Sequence, residues 1–102
     1  MIRQFLATIS LHLHSAGGRA NPLFDGYKGQ FLFQGMTYDK DGRVNLQGKQ
    51  SLSGGETCNV EVELLAPEAI TLSPGQSFSL REGLREIGTG VVLSVIHDTP
   101  QT

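Results

Sequence analysis

The strongest constraint on this chain is an alternation of apolar and polar residues with a period of two, broken at short intervals by glycine and proline, with no sustained helical repeat. The stretch FLATISLHLH (5–14) places Phe5, Ala7, Ile9, Leu11 and Leu13 on one face. Leu6, Thr8, Ser10, His12 and His14 take the other, as in a strand with one buried side. GQFLFQGMTYD (29–39) continues with Phe31, Phe33 and Tyr38, and Gly35 marks a bulge or strong bend. Asp41-Gly42 reads as a tight turn before the short strand RVNLQ. A second turn, LSGGE, precedes CNVEVELL, which sets Val60, Val62 and Leu64 against Glu61 and Glu63. Pro74-Gly75 is the pair that a type II turn asks for. Phe78 and Leu80 then point inward, REGLRE makes a hairpin connection, and a last strand runs from Ile87 to Ile96. Six strands with no helix to cover their edges predict an all-β fold, a six-stranded antiparallel barrel that removes its edges by closing. A two-sheet sandwich fits the same pattern.

Length limits the chain to one domain, 1–102 with its core at about 5–96, because 102 residues are too few for two ordinary ones. Cys58 is the only cysteine, so no internal disulfide forms, and a reducing, cytoplasmic setting is expected. The N-terminal stretch alternates where a signal peptide or a membrane span would run continuously apolar, so no membrane is expected as a partner. The formal net charge of -2 is unevenly spread: residues 1–50 hold six Lys/Arg and three Asp/Glu, and residues 51–102 hold two and seven. The first half suits phosphate contacts, but an acidic whole predicts weak affinity for nucleic acid.

Neither catalytic residues nor a cofactor is expected, since no Ser-His-Asp, Cys-His or phosphate-loop signature is present. His12 and His14, two apart on a strand, would project from one face, yet no third metal ligand is apparent in the sequence; His97 and Asp98 belong to the terminal strand. Gly88 and Gly90 strip side chains from one face of that strand, either for close packing at a barrel bend or for approach of a ligand or neighbouring chain. In GGRANPLFDGYKGQF (17–31) the aromatics Phe24, Tyr27 and Phe31 are expected to hold a packed Ω-type loop whose turns Pro22, Gly26 and Gly29 fix. Arg19 and Lys28 add nothing to such a core.

Two blocks carry a family resemblance. GGRANPLFDGYKGQFLF (17–33) and, later, SFSLREGLREIGTGVVLSVI (77–96) resemble the third, C-terminal domain of bacterial elongation factor Tu, the translational GTPase that delivers aminoacyl-tRNA. The pattern there is Gly-Gly-Arg, two residues, Pro-Phe-Phe, one residue, Gly-Tyr, then Gln-Phe and an aromatic, and later Arg-Glu-Gly-Gly-Arg, two residues, Gly, one residue, Gly-Val-Val. The likeness extends from about Phe5 to Ile96 and implies a six-stranded antiparallel β-barrel. It places Lys28 and Gln30, with the loop pair Glu82 and Gly83, beside the T-stem of tRNA, and Arg19 near a domain interface. Leu84 stands where the family has the second glycine of Arg-Glu-Gly-Gly-Arg, Gly29 replaces a proline, and 35–42 is longer.

No GTPase domain accompanies the barrel in this sequence, so GTP hydrolysis is not inherited. The function implied is a non-catalytic binding module for tRNA, held weakly, or for a translation-related protein. The alternatives are a decoy that mimics the factor's surface, or a barrel subunit acting in trans to a separate GTPase. A face that neighbouring domains cover in the family is open here to a second copy, which keeps a homodimer among the expected partners.

Overall fold

The computed structural model describes residues 2–68 and 70–96. Eight strands follow one another: β1 (Ile2–Leu11), β2 (Leu23–Phe24), β3 (Tyr27–Phe33), β4 (Lys40–Leu46), β5 (Ser51–Leu52), β6 (Thr57–Glu68), β7 (Ser77–Glu82) and β8 (Arg85–Ile96). Six of them form a closed antiparallel barrel in the order β1-β6-β4-β3-β7-β8, with β8 pairing back onto β1. Closure, which a sandwich lacks, leaves no barrel strand with an unpaired edge. The short strands β2 and β5 pair only with each other and carry Leu23 opposite Leu52, both fully buried, into the core.

The predicted alternation is what fills the barrel. Phe5, Ala7 and Ile9 of β1, Val60 and Val62 of β6, and Leu80 of β7 are completely buried. Phe5 meets Phe31, Phe33 and Phe78 edge-on, with ring centroids 5.6 to 6.4 Å apart, the geometry that aromatic quadrupoles favour. Turns fall where glycine permits them. Gly75 follows Pro74 at a φ of 92°, with Gln76 N–H donating to the Ser73 carbonyl at 3.0 Å. At the β7–β8 hairpin, Gly83 alone has positive φ and Leu84 does not, the pattern of a II′ turn.

Several local expectations fail for identifiable physical reasons. Asp41-Gly42 is not a turn: both residues lie inside β4, with Gly29 opposite Gly42 and Gln30 opposite Asp41. Gly42 is needed for clearance, because a Cβ there would lie 2.7 Å from the Phe31 ring. Gly29 likewise sits within β3 against the Tyr27 ring, where it fixes no turn. The reversal occurs earlier, around Gly35 at a φ of 89°, which leaves Tyr38 exposed and outside any strand. In the 17–31 stretch Leu23 and Phe31 are fully buried, Tyr27 and Phe31 belong to β3 and not to a loop, and Phe24 faces solvent.

β1 stops at Leu11, so His12 and His14 do not share a strand face. A 3-10 turn (His14–Ala16) follows, capped by Gly17 in the left-handed region, and Leu13 is exposed. The glycines of β8 serve packing. A Cβ on Gly90 would meet the Phe78 ring at 2.3 Å, and one on Gly88 the Ser10 carbonyl at 2.7 Å. His97 and Asp98 lie outside the described residues.

Candidate functional site

The groove begins with two neighbouring rows of outward side chains. In one, Asp41, Gln30 and Arg81 stand side by side on β4, β3 and β7; in the next, Arg43 of β4 faces Lys28 of β3. The β7–β8 hairpin reaches over their end, since Gly83 N–H donates to Gln30 Oε1 at 3.0 Å. An open groove of about 430 Å³ results, and Lys28, Gln30, Glu82 and Gly83 all line it together with Tyr27, Arg81, Asp41 and Leu65. Four residues separated by up to 55 positions in sequence thus converge on one surface.

Their environments are not equivalent. Glu82 is the most constrained: Tyr27 Oη donates to its Oε2 at 2.6 Å, the Arg19 guanidinium bonds to the same oxygen, and Arg85 donates to Oε1 at 3.3 Å. Burial would raise its carboxyl pKa, but the Tyr27 hydrogen bond and the charges of Arg19 and Arg85 outweigh burial and hold it below the usual range. The Tyr27 phenol is pushed up to about 12, first by burial and then by that carboxylate. Arg19 stacks on the Tyr27 ring with Cζ 4.9 Å from the centroid and donates to the Asn21 carbonyl. Arg19 is therefore part of the loop's packing, which corrects the expectation that the packed loop leaves it over.

The groove floor differs from this locked end. Arg81 pairs with Asp39 at 3.1 Å and Arg43 with Glu63 at 3.1 Å, whereas Lys28 has no carboxylate partner among the described residues. Lys28 stands directly opposite Arg43, and like charges in that relation cost stability. Gln30 spends its carbonyl on Gly83, which leaves its amide N–H groups as donors. A cationic side chain and an amide donor beside an anchored hairpin suit an anionic or carbonyl-rich ligand.

Sequence reasoning missed Tyr27, Arg81, Asp41 and Leu65 as parts of this surface. Tyr27 was expected in the loop core, and the misread turn at Asp41-Gly42 hid Asp41. The signal for Arg81 was its place immediately before Glu82 in the REG motif. Elsewhere, His12 Nε2 pairs with Glu86 Oε2 at 2.7 Å, and among the described residues no three metal-ligating groups converge. No helix among them is long and apolar enough to cross a membrane. The family model described as elongation factor Tu C-terminal domain matches residues 1–96.

Proposed function

The chain is a member of the elongation factor Tu C-terminal domain family, and on that premise we propose that it is a non-catalytic module that binds the phosphate backbone of structured RNA, tRNA first. The observation that carries this reading is Lys28. It is unpaired among the described residues, faces Arg43, and lies beside the free amide of Gln30 under a hairpin pinned by that same glutamine. Lys28, Gln30 and Gly83 meet the ligand. Glu82, bonded to three neighbours, holds the hairpin in place. Tyr27, Arg81 and Glu82 in the groove are tied up in ion pairs and hydrogen bonds, which supports a binding role over a catalytic one. A cytoplasmic setting, where tRNA resides, follows from the same reading.

Few phosphates are neutralised by one lysine, so affinity is expected in the micromolar range or weaker and to fall with salt. Lys28→Ala should weaken tRNA binding several-fold and lower the slope of log K against log salt by about one. Fluorescence anisotropy of labelled tRNA across a salt titration reads both. An unchanged slope would remove Lys28 from the interface.

One observation favours a protein ligand instead. Leu84, 92% exposed at the hairpin tip, presents an apolar side chain where the family pattern has glycine, with Leu65 along the groove. A protein partner captured by the wild-type chain, resistant to ribonuclease and lost with Leu84→Gly, would replace the RNA reading.

A further inference from the structure

Arg81 lines the groove, yet its guanidinium is held from outside by a carboxylate that does not. Nη1 pairs with Asp39 Oδ1 at 3.1 Å, and the two side chains are 20% and 26% exposed. The tie is single: one N–H of the fork meets one carboxylate oxygen, where a matched pair would use two of each. Glu86 faces Arg81 across β7 and β8, but Ser79 Oγ donates to one of its oxygens and His12 Nε2 meets the other. Asp41 stands on the far side of Gln30. Among the described residues, Asp39 is thus the carboxylate bonded to Arg81.

The segment that delivers Asp39 is lightly held. β3 ends at Phe33, Gly35 turns the chain at positive φ, and β4 begins at Lys40. Met36 packs against the core, and its N–H donates to the Phe33 carbonyl at 3.0 Å. Beyond it, Thr37, Tyr38 and Asp39 make no backbone–backbone hydrogen bond among the described residues. Tyr38 is 76% exposed and, with Thr37, borders a hollow of about 430 Å³ that extends to Ile70 and Thr71. Asp39 does not line that hollow; its side chain reaches Arg81 instead. A single-pronged pair near the surface is a weak tie, and little else fixes Asp39 in place.

We propose that Arg81 is a second phosphate-binding residue of the groove and that Asp39 is its built-in competitor, holding the guanidinium until a ligand phosphate displaces it. This rests on the phosphate-binding reading of the groove. A phosphodiester presents two anionic oxygens to the fork at once, where Asp39 uses one, so the exchange gains a hydrogen bond. The carboxylate released passes to water. Parting Arg81 from Asp39 weakens the hold on every anion that enters, so a ligand that Lys28 and Gln30 also hold is favoured over a lone anion.

A double-mutant cycle separates this exchange from simple repulsion between Asp39 and the ligand. Two probes are titrated: labelled tRNA by fluorescence anisotropy, and inorganic pyrophosphate by the NMR amide signals of Lys28 and Gln30. Asp39→Asn should tighten both by about three- to tenfold. The gain should vanish in an Arg81→Gln background. Asp41→Asn removes a groove acid that bonds to no arginine among the described residues, and its effect should be the same with and without Arg81. In the wild type, the amide signals of residues 37–39 should shift together with those of the groove. If Arg81→Gln fails to fold, Arg81→Lys, which keeps the charge and loses the fork, takes its place and should lose most of the gain. A gain that persists without Arg81, or no gain with either probe, would overturn the proposal. Lys28-dependent tRNA binding without this coupling would overturn the exchange and leave the RNA reading standing. Coupling seen with pyrophosphate while tRNA does not bind would support the exchange and retire tRNA as the ligand. If neither probe binds any variant, the groove is no phosphate site and both readings fall.

Discussion

The phenol of Tyr27 sets the behaviour of the groove's locked end. Its pKa stands at about 12 in the folded chain, raised first by burial and then by the Glu82 carboxylate that accepts its hydrogen bond. A raised pKa means that the native state holds the proton more tightly than the unfolded chain, where a tyrosine titrates at 10.0. The resulting stability is complete below pH 10 and disappears as pH climbs through about 12. Tyrosinate absorbance in a Tyr38→Phe background should show a midpoint near 12, and Glu82→Gln should move it down toward 10; no movement would remove the carboxylate from the account. Glu82 works in the opposite direction. Its pKa is depressed because the Tyr27 bond and the arginine charges overcome burial, so its contribution is present above the ordinary carboxylate range and is lost as pH falls below it. Thermal unfolding between about pH 6 and pH 3 should therefore be less steep in Glu82→Gln than in the wild type, and parallel curves would show that the network adds nothing to the fold.

At the level of elements, the sequence disclosed most where one physical cause acts alone. β1 and β6 alternate cleanly because their inner faces need only be apolar. β4 was misread because an Asp-Gly pair can answer two demands, positive φ at a turn or an absent side chain beneath a ring, and periodicity does not separate them. The Phe31 ring decides between them, and it comes from another strand. The site shows the same division: the family motifs marked Lys28, Gln30, Glu82 and Gly83, but the bonds that commit Glu82 to Arg19 and Tyr27 join residues 55 or more positions apart and have no local signature. The clearance argument has a direct test. Gly42→Ala forces a Cβ against the Phe31 ring and should cost about 1–3 kcal/mol by urea denaturation. Phe31→Leu removes the obstructing ring edge, so the double variant should be more stable than the sum of the single losses predicts, by about 1 kcal/mol. Strict additivity would mean that Gly42 is there for some other reason.

For the molecule as a whole, closure couples the ends of the chain. β1 hydrogen-bonds to β6 on one side and β8 on the other, so neither of its neighbours is adjacent in sequence, and Gln4 faces Ile96 across the closing seam. Such pairing fixes nearly the whole chain before its contacts are gained, which places the domain among slow, millisecond-to-second folders. A circular permutant changes this while keeping every strand pair of the barrel. New termini open at the exposed Gly48-Lys49 turn, and a short glycine-serine linker joins the old ones, turning the β8–β1 seam into a local hairpin. Shortening the loop that the seam must close from about 90 residues to about 10 lowers its entropic cost by about 2 kcal/mol. If the seam is formed in the transition state, refolding should accelerate about tenfold or more, with the native spectrum preserved. A permutant that folds at the parent's rate would place the closing of β8 on β1 after the transition state, with the nucleus in the β3–β4 and β7–β8 pairs that are already local. A permutant that does not fold would show that the seam is held by more than the register of its two strands.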